Sequence, residues 1–218
     1  MTGGALRLWL AIVLGGGFAA ACGGGRAPAT HYYDLASAAR RHAGTGPVLA
    51  VEALEADEPY DDDRIVYREN PYRVDYYHYH RWSAPPGAMV GRHLERALAA
   101  SGRFGAVLRE PPADGAAYVL GGRVLALEEV DVSRRRWLAR VALELHLRDA
   151  RTGDVVWSRR LEETEPVARQ SPEGVARALS RALDRVARRL APELGRVVRL
   201  RSCRGACPRR GASRSWSG

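Results

Sequence analysis

Lysine is absent from the 218 residues, so all 34 basic side chains are arginines. Such one-sided usage is the mark of a coding bias, and the abundance of guanidinium groups carries no recognition argument by itself. Cysteine is scarce, with Cys22, Cys203 and Cys207 the only three, which leaves no cysteine set for a metal centre. Missing too are a nucleophile elbow, a phosphate-binding glycine loop and a metalloprotease helix; Gly121-Gly122 alone is too little for any of them. No catalytic residue can be nominated, and the chain reads as a non-enzyme. No internal repeat is visible. Of long apolar runs there is one, Leu8 to Leu14, and it is too short to cross a bilayer as a stable helix.

That run follows Arg7, and a short positive region before an apolar stretch is an export signal. Phe18-Ala19-Ala20-Ala21-Cys22 then has small residues leading to a cysteine, the pattern of a bacterial lipobox, in which the cysteine is diacylated (palmitate being a usual chain) and becomes the new N-terminus. The alternative is a plain secretory signal cut after Ala21, which leaves Cys22 without a use. The expected organisation is therefore a signal peptide over 1–21, a lipidated tether over 22–30 rich in Gly, Pro and Ala, one domain over 31–200 and a basic tail over 201–218. Gly23 after the cysteine implies sorting to the outer membrane, facing the periplasm. The net charge of +9 is largely the work of the C-terminal end, where residues 196–218 hold seven arginines and no acid. The body is nearly neutral; a basic tail could touch nucleic acid or anionic lipid, but export speaks against nucleic acid, and a disordered tail is the expectation. Cys203 and Cys207 either pair in an oxidising compartment or are incidental to the tail.

The most informative stretch is Arg64 to Ser101. Two runs rich in aromatic and β-branched residues, Ile65 to Arg68 and Tyr72 to Tyr79, flank Glu69-Asn70-Pro71 and predict a hairpin. After Trp82 and Pro85-Pro86, Val90, Leu94 and Leu98 recur at a spacing of four, which predicts a helix closed by Ser101-Gly102. His31 to Leu35, Val48 to Leu54 and Gly105 to Leu108 read as short strands, and Glu55 to Asp63 as an acidic loop. Tyr118 to Val132, Trp137 to Asp149 and Val155 to Glu163 are three long strands, the middle one alternating Ala139, Val141, Leu143, Leu145 and Leu147 toward a core. A final helix starts with Ser171 as N-cap and Pro172 at its first position, and carries Val175, Leu179, Ala182, Val186, Leu190 and Leu194 on one face up to Gly195. The fold class that follows is α/β: a layered domain with a mixed β-sheet and two main amphipathic helices.

Trp82 is expected in the core as a structural anchor. Tyr77, Tyr79 and Arg81, counted at a period of two, share a face with Arg73 and Asp75 and are expected to form a partly exposed docking patch for a partner. His78 and His80, with His93 as a third ligand, would suit a metal, but no acidic or cysteine ligand lies at a fitting spacing and Trp82 falls on the same face, so a structural role is favoured and no metal or other cofactor is assigned. Glu128, Glu129 and Asp131 are expected at a solvated strand end.

The order of lipobox, Tyr33-Asp34-Leu35, apolar strand, acidic loop with Pro59-Tyr60, then Arg64-Ile65-Val66-Tyr67-Arg68, Tyr72, Arg81-Trp82, Pro85 and the Leu94/Leu98 helix resembles the auxiliary lipoprotein component of ABC-type transporters. That family accompanies systems with a mammalian-cell-entry (MCE) substrate-binding subunit. The resemblance implies a periplasm-facing α/β lipoprotein, without catalytic residues, that helps an ABC permease/ATPase complex and its MCE subunit to move phospholipids or other apolar molecules, with homo-oligomers an option. A stand-alone outer-membrane assembly or envelope-stress lipoprotein, or a periplasmic metal-binding protein using His78 and His80, are the alternatives.

Overall fold

The computed structural model describes residues 28–37, 40, 42, 44–109 and 115–205, the last four by backbone only. Its spine is β7 (Tyr118–Ser133), which the alternating sequence keeps extended over 16 residues. Along one edge runs β8 (Arg136–Asp149), antiparallel over its whole length, and β9 (Val155–Pro166) continues the meander beyond it. The other edge of β7 is shared by three shorter strands, all parallel to it. β2 (Val48–Val51) pairs at Leu49↔Tyr118, β3 (Glu55–Ala56) at Glu55↔Arg123, and β4 (Arg64–Asn70) at Val66↔Glu128. β6 (Ala106–Arg109) extends the sheet outward from β2, whereas β5 (Arg73–Trp82) and β1 (His31–Tyr33) extend it outward from β4. The result is one mixed, nine-stranded sheet.

Two helices, α1 (Pro86–Ala100) and α2 (Pro172–Gly205), cover one face of the sheet and touch each other. Val90, Leu94 and Leu98 of α1 and Val175, Leu179, Ala182, Val186, Leu190 and Leu194 of α2 are all buried in one continuous core with Leu120, Leu127, Leu143, Leu145 and Leu147 of the sheet. Each such leucine contributes roughly 2 kcal/mol by leaving water. The Ser171 hydroxyl accepts the Gly174 N–H at 3.1 Å and caps α2 as expected. α1 lies so close to the chain after β2 that a Cβ on Gly87 would sit 1.9 Å from the Leu54 carbonyl oxygen. Gly122 has φ +148°, and a Cβ there would sit 2.1 Å from the Glu144 carbonyl, so the spine is narrow between its contacts with β2 and β3.

Three expectations need correction. α2 does not stop at Gly195: the buried stripe continues through Val198, the helix carries Pro192 inside it, and it runs to Gly205, so residues 201–205 of the expected tail are helical. β2 ends at Val51, and the two-residue β3 opens what reads in the sequence as acidic loop. Glu128 and Glu129 are not at a solvated strand end. Both are fully buried, because β4 and β5 cover that edge of β7.

Candidate functional site: the β4–β5 hairpin and the acids beneath it

In the hairpin Arg68 pairs with Val74, Tyr67 with Asp75 and Val66 with Tyr76, yet the next pair is Arg64 with Arg81. Two steps along β4 therefore span five along β5, and the surplus is a wide bulge at 77–80. A bulge breaks the alternation of faces. Tyr77 packs against the main core as Trp82 does, its ring standing edge-on to His80 at 5.6 Å. Arg81 turns to the opposite face with its partner Arg64, whose guanidinium lies 4.2 Å over the Tyr76 ring. His78 and Tyr79 are exposed within the bulge. Tyr77, Tyr79 and Arg81 thus do not share a face as a period of two requires. Trp82 is buried, at 2% exposure, where the strand hands over to α1.

Beneath the hairpin the adjacent carboxylates of β7 serve opposite faces. On the open face Glu128 accepts the Tyr60 hydroxyl at 2.6 Å, Arg68 Nε at 2.7 Å and an Arg140 nitrogen at 2.8 Å, while Arg140 Nε reaches on to Glu162 at 2.8 Å. Two guanidiniums and a phenol satisfy the buried anion. Burial and the bond to Glu128 push the Tyr60 hydroxyl up to about 12. On the helix face Glu129 accepts the Tyr77 hydroxyl at 3.0 Å. Its Oε1 and the Asp131 Oδ1 are both buried and have no donor. Burial together with Asp131 pushes Glu129 up to about 8, and a proton on Glu129 would give the Asp131 oxygen its missing donor. Burial, with Glu129 beside it, also raises Tyr77 far above the usual phenol range.

The histidines are structural in this arrangement. His80 Nδ1 is 2.9 Å from the Tyr33 hydroxyl, and its ring stacks on His31 at 5.5 Å, face to face, with burial holding its pKa down. His93 is buried on α1 with Nε2 2.9 Å from Asp184 of α2, so it ties the helices together instead of joining His78 and His80. Among the described residues no group of three or more His, Cys, Asp or Glu side chains could hold a metal ion. Cys22 and Cys207 lie outside the described residues, and Cys203 is described by backbone only. At the β1–β5 edge two tyrosines reach solvent, Tyr79 at 45% and Tyr32 on β1 at 65%; Tyr32 pairs with Arg81, which is held by Asp63 at 2.5 Å. The Tyr60–Glu128–Arg68–Arg140 cluster escapes sequence reasoning, and only the alternation of β8, which puts Arg140 opposite Val141, hints at it.

Residues 33–191 match the family model of the ABC-type transport auxiliary lipoprotein component. The chain belongs to this family. Among curated proteins none matches it. The fold of this auxiliary lipoprotein is similar to the crystal structure of a Xanthomonas campestris protein, with a TM-score of 0.68 at 23% identity, covering 79% of this chain and 99% of that one. It is also similar to the crystal structure of an uncharacterized protein, with a TM-score of 0.62 at 14% identity, covering 77% and 99%. At these identities the likeness speaks for the fold alone, and it is the same α/β layering. The auxiliary lipoprotein is thus a component of the cell envelope associated with an ABC transport system, and the matched span takes in the whole hairpin with its buried acids.

Proposed function

We propose that the protein is a non-enzymatic accessory subunit, held to the outer membrane by lipid on Cys22, which serves an MCE-type ABC system that moves phospholipids or other apolar molecules across the envelope. Its part is docking. The observation that carries this reading is a contrast around the hairpin: Glu128 and Glu129 of β7 are locked inside, whereas Tyr32 and Tyr79 stand exposed at the β1–β5 edge. Tyrosines beside an arginine are the composition of interface hot spots, and Arg81 supplies the charge. Several acyl chains on one cysteine would anchor the domain stably, as a single chain would not. In the test, the permease/ATPase complex and MCE subunit are purified with the wild type and with a Tyr32→Ser, Tyr79→Ser variant, and palmitate labelling is compared with Cys22→Ser. Loss of co-purification at an unchanged melting temperature, with label confined to chains that have Cys22, is the expected result. Equal labelling overturns the anchor, and a variant that still co-purifies overturns the docking edge.

A further inference from the structure

One end of the sheet is a rim made of three turns. Parallel pairing of β4 with β7, through Arg68↔Val130, sets the tip of the β4–β5 hairpin beside the turn between β7 and β8. The loop before α2 joins them, since Gln170 donates to the Arg134 carbonyl at 3.1 Å and the Val167 N–H to that of Trp137 at 2.9 Å. On this rim Tyr72 is 96% exposed and Val132 51%. Arg134, Arg135 and Arg136 follow, all exposed and without an ion pair among the described residues. Of the nearby acids, Glu69 and Asp75 are engaged by Arg73 and Glu173 by Arg177, and Asp131 has its Oδ1 buried beside Glu129. The acidic segment 57–63 lies elsewhere, tied to Arg123 and to Arg81 at the far end of β5.

The chain itself points this end at the membrane. β1 is parallel to β5, with His31 beside His80, so the polypeptide enters β1 from the side on which β5 begins, which is the rim. From His80 back to Arg73 is about 23 Å of strand at the usual rise. The eight residues between Cys22 and His31 can span up to about 30 Å. A lipid on Cys22 can therefore place the rim at headgroup level.

We infer that this rim is a membrane-contact surface, with Arg134, Arg135 and Arg136 binding the phosphates of anionic phospholipids while Tyr72 and Val132 enter the interface between them. The orientation rests on Cys22 as the anchor; the affinity of the rim for lipid does not. A second basic stretch, Arg196, Arg199 and Arg201 with the exposed Leu200, lies near the opposite end of α2 and serves as the comparison.

The full chain carrying Cys22→Ser is mixed with vesicles of phosphatidylcholine alone or with a third of phosphatidylglycerol, and bound protein is measured by flotation. The same is done with Arg134→Glu, Arg135→Glu, Arg136→Glu added, and separately with Arg196→Glu, Arg199→Glu, Arg201→Glu. Each arginine near an anionic surface contributes roughly fivefold to partitioning, so losing three lowers binding to the anionic vesicles by at least about 100-fold, the added glutamates acting in the same direction, and salt should weaken the parent's binding. Binding to neutral vesicles should not follow these charges. Equal loss from the α2 variant and none from the rim variant overturns the proposal. So does a rim variant that keeps its vesicle binding but no longer co-purifies with the transporter, which would make the rim a protein interface. If palmitate labelling refutes the Cys22 anchor while the rim variant still loses vesicle binding, only the orientation falls.

Discussion

Replacing Glu129 by Gln tests the shared proton on the helix face of the sheet. The Gln carbonyl can still accept the Tyr77 hydroxyl, and its NH2 supplies the donor that Asp131 Oδ1 otherwise obtains only from a protonated Glu129. In the fold Glu129 titrates near 8, against 4.5 for an unperturbed glutamate. The folded state therefore binds a proton that the unfolded chain releases, and stability falls as pH rises between these values. A raised carboxylate pKa thus contributes stability that is lost through the folded pKa, the reverse of an ordinary salt-bridged acid. The slope is about 1.4 kcal/mol per pH unit, which accumulates to a few kcal/mol by pH 8. Urea unfolding of wild type and Glu129→Gln at half-unit steps from pH 5 to 8.5 reads it directly. His80 and His93, whose pKa values are lowered, give slopes of the opposite sign in both proteins and cancel in the difference. The two proteins should be similar in stability at pH 5 and diverge toward pH 8, with the variant the more stable. Parallel curves would refute the shared proton.

Trp82→Ala should lower unfolding free energy by about 3 to 5 kcal/mol in the same assay, because a buried indole leaves a cavity that α1 cannot close without losing its contact with the chain after β2. Arg140→Ala removes one of two guanidiniums from the buried Glu128 and should cost about 2 kcal/mol, and adding Glu128→Gln should recover part of that loss, which a double-mutant cycle in urea would measure.

Much of this architecture is written in local pattern. The alternation from Ala139 to Leu147 fixes β8, and a strand that long dictates its neighbours β7 and β9; the spacing of Val90, Leu94 and Leu98 and the Ser171-Pro172 start do the same for the helices. The site was less legible because its decisive features are not local. Glu128 and Glu129 look alike in sequence, and their fates are set by Arg68, Tyr60 and Tyr77, which arrive from 52 to 68 residues away. The bulge in β5 carries no glycine or proline to announce it, so counting by two runs through it and puts Tyr77, which packs against the core as Trp82 does, on the face of Arg81. Gly195 misleads in the other direction: a residue that commonly ends helices here lies inside one, against the Arg103 side chain, and the buried stripe goes on past it.

Placing one glutamate on each face of the spine has a consequence for how the chain finds its alignment. A strand whose inward side chains were only Leu, Val and Ala could slide by two residues against β8 and still present oil to oil. Here a slip of two carries Glu128 away from Arg140 and sets Ala126 or Val130 against that guanidinium, leaving the buried anion one guanidinium of its two, a penalty of about 2 kcal/mol. On the reverse side the bond of Glu129 to Tyr77 marks the setting of β7 against the hairpin in the same way. The pair works as a vernier, in which two marks on opposite faces coincide at a single setting of the longest strand, and every strand hung on β7 inherits that setting.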